Sequence, residues 1–405
     1  MSEEKFLSDV IKDFYANHQV EVPNVDQREF GIGFFGKKIA KRHLSFSSQI
    51  ELTSFLKNRV PFYISYSVAC YEKPASTPMD AKGFLGADIV YEFDADDLKT
   101  DCKQDHDSWI CTECGAKGKG SVEKCSKCGS SVQVEQWFCF VCLNETKKQV
   151  FRLLEFIEND LSLHEGISIN FSGNAGYHIH LRNDSIKSLN AEARIELLDY
   201  LTTKDFDLQR HGFVESNKMF LCPMPNETHG WNKRLLTSLV DLIEKDNVEK
   251  IAAFGGVRNA TVRDLLSNKE LVLKNIKEKG ILFSIPGRKN KQFWESLLQH
   301  LLEESALDID RQTSADIRKI IRVPETIHGG SGLLAKNIPL EQLKEFNPLD
   351  ETVVFPDTSV KVFISSSPKF YLKGNWFGPF TQEEAELPLY AAFYLIARKS
   401  ASLVG

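Results

Sequence analysis

Acidic residues interrupt an otherwise apolar run, where carboxylates are uncommon. The run from Ala87 to Asp97 is typical of a strand. Because a strand alternates its faces, the apolar side chains would enter a core while Glu92 and Asp94 share the opposite face. Two carboxylates fixed side by side suit Mg²⁺ or Mn²⁺, which take oxygen ligands. The alternative is a solvated edge strand that ends in an acidic turn.

Three Cys-x2-Cys turns follow within one short segment, a pattern typical of zinc sites in a reducing compartment. They begin at Cys111, Cys125 and Cys139, ten residues separate each turn from the next, and Cys102 and His106 precede them. This spacing leaves the pairing open. A nested pairing would place Cys111, Cys114, Cys125 and Cys128 around one ion and Cys102, His106, Cys139 and Cys142 around another. A sequential pairing would begin with Cys102, His106, Cys111 and Cys114. Neither site needs an open coordination position, so we expect both to be structural.

A second polar stripe lies on a predicted hairpin. Ile167–Phe171 and Tyr177–Arg182 have the pattern of strands, and the turn Ser172–Gly176 joins them. On the second strand His178, with His180 and Arg182, falls on one face. The glycines of the turn would let backbone amides approach a phosphate, although a plain hairpin turn has the same composition.

The chain beyond the hairpin is mostly helical in pattern until roughly residue 300. Asp310 then precedes a short run through Arg318 and Arg322 that predicts a helix, and His328 follows. A carboxylate, two arginines and a histidine therefore gather in this segment.

The bulk composition is that of an ordinary globular protein of 405 residues, with 42% hydrophobic residues and a net charge of −6. This length predicts two or three structural units. We expect an intracellular, cytoplasmic protein without a membrane, because no basic-then-apolar leader and no membrane-length apolar run occur. Nucleic-acid binding is not excluded, since a polyanion responds to a local basic surface. Lys37–His43 is one candidate, and a solvated basic turn is its alternative.

Taken in order, these motifs resemble the catalytic small subunit of the archaeal and eukaryotic DNA primase, especially the archaeal form. The resemblance spans most of the chain. It rests on the acidic strand, the cysteine-rich insert, Arg28-Glu29-Phe30, Arg42-His43-Leu44-Ser45-Phe46, Ser172-Gly173 with Gly176-Tyr177-His178, and Asp310 eighteen residues before His328.

The resemblance implies that Glu92, Asp94 and Asp310 bind two catalytic ions, Mg²⁺ or Mn²⁺. Glu92 stands where the family usually has aspartate, and its extra methylene would shift the metal geometry and favour Mn²⁺ over Mg²⁺. Pairing Asp94 with Asp96 would restore the usual Asp-x-Asp spelling, but Asp96 lies where the predicted strand has turned.

The resemblance also assigns further residues. Ser172, His178, Arg322 and His328 would bind the nucleotide, and Glu29 and Arg42 would lie at the rim of the active site. It favours the nested zinc pairing, with the inner ribbon as an insertion. Asn174 and Ala175 replace positions that are usually basic or histidine, so one phosphate contact would be lost or supplied by Arg182 or Arg318.

The fold predicted is α/β, the primase–polymerase fold, with a mixed sheet and inserted zinc-binding and helical subdomains. We predict a catalytic core over residues 1–98, 146–189 and 301–405, a zinc-binding insert over 99–145 and a helical subdomain over 190–300.

The predicted function is nucleotidyl transfer that starts short primers on single-stranded DNA from NTPs or dNTPs during replication. The predicted partner is a large subunit that carries an iron–sulfur cluster. One alternative is a repair or end-joining polymerase of the same fold that only extends. Another is a non-catalytic zinc-ribbon protein that binds nucleic acid.

Overall fold

The structure, a computed structural model, describes residues 2–217, 219–283, 285, 290–309 and 314–404. Asp310, the predicted third catalytic carboxylate, lies outside the described residues. The chain forms two compact units. The first comprises Met1–Arg152, His164–Ile195 and Asp308–Gly405, and the second comprises Leu153–Leu163 and Glu196–Leu307. The predicted domain boundaries stay a prediction.

The helices of the described residues are distributed along the whole chain. They are α1 Glu3–Asn17, α2 Gln49–Arg59, α3 Lys103–His106, α4 Phe140–Asn159, α5 Asp184–Lys187, α6 Ala191–Leu201, α7 Gly230–Glu244, α8 Val248–Gly255, α9 Asn259–Leu266, α10 Lys269–Lys279, α11 Asn290–Ser305, α12 Pro348–Glu351 and α13 Leu389–Ala397.

The strands are mostly short. In chain order they are β1 Arg28–Phe34, β2 Lys37–Leu44, β3 Tyr63–Tyr71, β4 Phe84–Ala87, β5 Ile89–Asp94, β6 Ser108–Cys111, β7 Lys117–Lys119, β8 Val132–Glu135, β9 Ile167–Phe171, β10 Gly176–Leu181, β11 Val214–Ser216, β12 Met219–Leu221, β13 Ile281–Leu282, β14 Ile320–Arg322, β15 Thr326–Ile327, β16 Leu334–Ala335, β17 Asn337–Ile338, β18 Ser359–Ser367, β19 Phe370–Leu372, β20 Asn375–Phe377, β21 Phe380–Pro388 and β22 Ala401–Leu403.

Two sheets of the first unit carry the predicted site. One has the order β14-β3-β1-β2, with β4 paired to β3, and the other has the order β17-β9-β10-β5. The three-stranded sheet β7-β6-β8 belongs to the cysteine-rich insert. In the second unit, the helices α7 to α11 accompany the small sheet β11-β12-β13.

The predicted α/β class is confirmed, because helices and sheets alternate along the chain. The predicted strands Ile167–Phe171 and Tyr177–Arg182 correspond to β9 and β10. The strand pairs among the described residues are antiparallel, as hairpin connections such as β9–β10 require.

The predicted helix through Arg318 and Arg322 is wrong. Arg322 ends the strand β14, which pairs with β3 in the register Arg322 to Ser65. Ile320 and Ile321 are β-branched and favour a strand, and β3 supplies the hydrogen-bonding edge that a short helix would lack. The arginine therefore belongs to the same sheet as β1 and β2.

Among the described residues, no helix combines the length and the apolar character that crossing a bilayer requires.

Candidate active site and metal centres

The acidic strand has the alternation that the sequence predicted. Tyr91 and Phe93 on β5 are buried, at 1% and 2% exposure, while Glu92 and Asp94 between and after them are partly exposed. Asp96 lies in the turn after the strand and is exposed. Glu92 and Asp94 are therefore the two carboxylates that share one face of a rigid strand.

The neighbouring strand β10 places a histidine opposite this acidic pair. Its register sets His178 against Glu92 and Gly176 against Asp94. A Cβ atom on Gly176 would lie 2.0 Å from the carbonyl oxygen of Phe93 and 2.3 Å from Oδ1 of Asp94. Only glycine allows the turn to approach the acidic strand this closely.

Glu92 contacts two basic side chains from different parts of the chain. Its Oε1 lies 3.5 Å from Nε2 of His178, and its Oε2 pairs with Nζ of Lys319. Burial would raise the pKa of Glu92, but the neighbouring His178 and Lys319 outweigh burial and lower that pKa. Burial also lowers the pKa of His178 to about 4, so the imidazole is neutral and Lys319 is the charged partner at pH 7.

Asp94 lies in a different electrostatic environment from Glu92. Burial, followed by the negative charges of Glu92, Asp96 and Asp97, raises the pKa of Asp94 from 3.8 to about 7, and Lys319 acts weakly in the opposite direction. Negative charge thus accumulates around Asp94, which is the environment that attracts a divalent cation.

Arg322 and His328 lie together against one aromatic ring. The guanidinium carbon of Arg322 lies 5.0 Å from the centre of the Tyr63 ring, and the His328 ring meets the same ring edge-on at 5.4 Å. Nη1 of Arg322 is buried and has no hydrogen-bond partner among the described residues. Burial lowers the pKa of Arg322 to about 10, so the guanidinium stays charged with an unused donor.

The turn after β9 is held against the segment that carries His328. Ser331 Oγ donates to the carbonyl oxygen of Gly173 at 2.5 Å and lies 3.2 Å from Nδ1 of His328. Ser172 Oγ accepts from the backbone N–H groups of Asn174, at 3.3 Å, and Gly176, at 3.1 Å. The turn is thus a tight hairpin turn, and the hydroxyl proton of Ser172 is left to donate elsewhere.

The two predicted rim residues form a pair with each other. Glu29 is fully buried, and its Oε1 accepts from Nε of Arg42 at 2.9 Å. Lys82 Nζ lies 3.5 Å from the other carboxylate oxygen. Arg42 also donates to the carbonyl oxygen of Arg318, the residue before Lys319. Arg42 is therefore connected to the acidic site through the backbone, whereas Glu29 stays inside the sheet.

Comparison with known proteins shows the family of the chain. The family model of the DNA primase small subunit matches residues 135–339. The chain belongs to the DNA primase small subunit family. Proteins named DNA primase small subunit PriS are similar over nearly the whole chain. That of Methanosarcina barkeri is 29% identical over 97% of this chain and 95% of its own length. Those of Methanothrix thermoacetophila and Nitrosopumilus maritimus are also 29% identical, over 97% and 98% of each chain.

Membership in the primase family implies a polymerase-type nucleotidyltransferase. The acidic strand, the hairpin turn and the segment of Arg322 and His328 lie in one unit although the sequence separates them widely.

The cysteine-rich insert of this primase-family chain brings eight ligand side chains into two groups. The inner group is Cys111, Cys114, Cys125 and Cys128, and the outer group is Cys102, His106, Cys139 and Cys142. Within each group the ligand atoms lie within 4.8 Å of one another, so each could bind a metal ion. The nested arrangement, one of the two that the spacing allowed, is the one found.

The inner group has its own small core. Its Sγ–Sγ distances include 3.5 Å between Cys111 and Cys128 and 3.7 Å between Cys114 and Cys125. Four thiolates around zinc would be separated by about 3.8 Å, given a Zn–S bond of about 2.3 Å. Trp109 packs with Cys111 and Cys125 beneath these ligands.

The outer group has a supporting carboxylate that the sequence analysis missed. Asp107 is buried, and its Oδ1 lies 2.8 Å from Nδ1 of His106 and accepts from the backbone N–H of Trp137 at 3.0 Å. Nε2 of His106 points to Cys142 Sγ at 3.2 Å. A carboxylate behind a histidine fixes which ring nitrogen faces a metal.

A buried ion network lies at the start of the acidic strand. Asp88 accepts from Arg28 at 3.0 and 3.1 Å and from Arg182 at 3.0 Å. Arg182 also donates to Ser168 and to Tyr66. Arg182 is therefore occupied within the fold, although its position on the polar stripe suggested a phosphate contact.

Sequence reasoning missed Lys319 and Ser331. Lys319 stands three residues before Arg322, and Ser331 lies in the glycine-rich run after His328. The only available signal was their closeness in sequence to predicted site residues. Their partners, Glu92 and Gly173, are more than 150 residues away.

Proposed function

We propose that this protein is the catalytic subunit of a DNA primase, which starts primers on single-stranded DNA by two-metal nucleotidyl transfer. One observation carries the proposal: Glu92 and Asp94 share a strand face opposite His178. Arg322 and His328 lie in the same unit. The carboxylates and the cationic group are the two halves that a metal–triphosphate complex requires.

The acidic residues fit divalent ions. Carboxylate oxygens are the ligands that Mg²⁺ and Mn²⁺ take, and the raised pKa of Asp94, due first to burial and then to neighbouring negative charges, marks a deficit of positive charge. Glu92 and Asp94 would hold these ions, with Asp310 as the third ligand. Two such ions would lower the pKa of the attacking hydroxyl and offset the charge of the leaving pyrophosphate.

The basic half of the site would hold the triphosphate in line for attack. The unpartnered Nη1 of Arg322 can donate to a phosphate oxygen without giving up an existing hydrogen bond. The hydroxyl of Ser172 can donate as well, since within the described part of the chain its oxygen accepts from two backbone amides and its proton is not used. The neutral His178 lies next to Glu92 and can donate a hydrogen bond where the acidic half of the site meets the basic half.

His328 would take up a proton when a triphosphate arrives. Its Nδ1 faces Ser331 Oγ, which already donates to Gly173, so the neutral ring carries its proton on Nδ1. Nε2 is then an acceptor, which would repel a phosphate oxygen unless it gains a proton. Burial, followed by the charge of Arg322, keeps the pKa of the free His328 well below 6.5, and an anion beside the ring would raise it.

The proposal also includes structural zinc ions and a partner subunit. The two cysteine-rich groups would each hold Zn²⁺ as a structural ion, because four nitrogen and sulfur ligands close each group. The relatives are named small subunits, and we propose a heterodimer with a large subunit that carries an iron–sulfur cluster and helps to position the first nucleotide. Glu92 would influence which metal ion is preferred. Arg42 would lie at the rim of the site.

An initiation assay tests the proposal. Purified protein, alone and with its large subunit, is given single-stranded DNA, NTPs or dNTPs, and Mg²⁺ or Mn²⁺, on unprimed and primed templates. We expect new chains on unprimed template and loss of both activities in Asp94→Asn. Asp96→Asn is the matched control, because Asp96 lies in the turn and should leave most of the activity.

The outcomes separate the alternatives. Extension of primed templates without initiation, even with the large subunit, would favour a repair-type polymerase. Full synthesis by a folded Asp94→Asn variant would refute the metal assignment. An equal loss in Asp96→Asn would favour Asp94 and Asp96 as the metal pair.

A further inference from the structure

The β1–β2 hairpin presents a basic and partly aromatic surface that the proposed chemistry does not use. Lys37, Lys38 and Lys41 on β2 are exposed, and Phe34 at the end of β1 is 47% exposed. No aspartate or glutamate occurs from residue 30 to residue 45. The hairpin is therefore positively charged, whereas the whole protein has a net charge of −6.

Buried side chains anchor the hairpin in the sheet. On β1 these are Phe30 and Ile32. A Cβ atom on Gly33 would lie 2.2 Å from the carbonyl oxygens of Lys37 and Lys38, so the two strands meet closely just before the turn. Phe34 pairs with Lys37 in the register, so an aromatic and a basic residue occupy facing positions next to the turn.

Strand β2 also contacts the segment that leads into the candidate active site. Arg42 on β2 donates to the carbonyl oxygen of Arg318 at 3.2 Å, one residue before Lys319, which pairs with Glu92.

Cations and an exposed ring together are the features by which proteins hold a single-stranded nucleic acid. Ammonium groups pair with successive phosphates, and an aromatic ring stacks on a base of any identity. We infer that a single strand of nucleic acid lies on the β1–β2 hairpin as it reaches the active site. This inference rests on the proposed function and extends it by naming the surface that receives the strand.

Salt-dependent binding tests the cationic part. Anisotropy of a labelled oligothymidylate is measured from low to high salt for the full chain and for Lys37→Gln/Lys38→Gln/Lys41→Gln. Three lost phosphate contacts should weaken binding about 100-fold at 0.1 M salt and reduce the slope of log K against log salt by about 2. Lys5→Gln/Lys12→Gln/Lys344→Gln removes three other exposed lysines and should change neither quantity by more than about twofold.

Two substitutions at one position test the aromatic part. Phe34→Leu keeps an apolar side chain but removes the ring, and we expect binding to weaken at least about fivefold. Phe34→Tyr keeps the ring and should bind as the wild type does. Equal binding by both variants would overturn the stacking contact.

Failure of the hairpin inference is distinguishable from failure of the primase proposal. If the wild type binds the strand and makes primers while the triple lysine variant binds equally well, the hairpin inference is wrong and the primase proposal stands. If the wild type binds no single strand but binds vesicles of anionic lipid, both fail. Asp94→Asn should bind the strand normally, because the hairpin and not the acidic pair holds it.

Discussion

The two ends of β5 carry carboxylates in opposite electrostatic situations. Asp88, just before the strand, is paired with two arginines and is 8% exposed. Burial alone would raise the pKa of Asp88, but His180, Arg28 and Arg182 outweigh it and hold that pKa far below its usual value. At the other end, burial and negative neighbours raise the pKa of Asp94 to about 7.

The difference separates a structural carboxylate from a functional one. Asp88 has its counter-charge built into the fold, so it stabilises the sheet and has nothing left to bind. Asp94 has too little positive charge nearby, so its ionised form destabilises the folded protein until a cation binds. The strand thus holds the site in place at one end and leaves it charged at the other.

The largest expected effect separates activity from stability at Asp94. Asp94→Asn should reduce primer synthesis by about 1,000-fold or more, because a metal ligand is lost. The same change should raise the free energy of unfolding at pH 7 by about 1–3 kcal/mol after allowance for solvent screening, since it removes a poorly tolerated charge. Denaturant unfolding measures the second effect, and a destabilised variant would contradict the comparison.

Asp88→Asn should behave in the opposite way. It leaves Arg28 and Arg182 without a buried counter-charge, so we expect a loss of about 3–5 kcal/mol in the free energy of unfolding. Synthesis per folded molecule should change little. Asp80→Asn is the control, because Asp80 also pairs with an arginine but is 87% exposed, and it should cost less than about 1 kcal/mol.

The pH dependence gives Asp88 a second test. Its folded pKa lies below the ordinary 3.8, so its stabilisation is complete above pH 3.8 and is lost as the pH falls towards the folded value. The wild type should therefore lose stability more steeply than Asp88→Asn below about pH 4. Parallel curves in denaturant titrations at several pH values would contradict this assignment.

A smaller effect is expected on the basic side of the site. Arg322→Gln should raise the KM for nucleotides about 10- to 100-fold, because a charged hydrogen bond to phosphate is lost. Arg322→Lys keeps the positive charge and should therefore raise the KM less. Steady-state kinetics on a fixed template measures this. Arg318→Gln is the comparison, since Arg318 is 59% exposed and pairs with Asp80. A larger change there would make Arg318 the phosphate contact.

The smallest effect on synthesis is expected from a third buried carboxylate. Asp107→Asn should weaken metal binding at the outer cysteine group about tenfold, because His106 loses its charged hydrogen-bond partner. Release of zinc to a chromogenic chelator should then have two phases, one for each cysteine group, and one of them should be faster than in the wild type. Glu113→Gln, which changes an exposed carboxylate between Cys111 and Cys114 of the inner group, should leave both phases unchanged.

The local elements of the site could be predicted from the sequence, and its partners could not. Alternation along residues 87–97 was enough to place Glu92 and Asp94 on one face, and β5 has that form. The segment before His328 was mistaken for a helix because arginines and isoleucines fit both patterns over a few residues. Pairing with β3 decided in favour of a strand.

The sequence by itself determined which residue types could bind metal ions and phosphates, because strand alternation and Cys-x2-Cys spacing are set by neighbours in the chain. Only the tertiary structure decided which arginine keeps a donor available. Both Arg182 and Arg322 were candidates for a phosphate contact, but Arg182 donates to Asp88, whereas Nη1 of Arg322 has no hydrogen-bond partner among the described residues. Such choices depend on register and packing between distant segments, which no local pattern encodes.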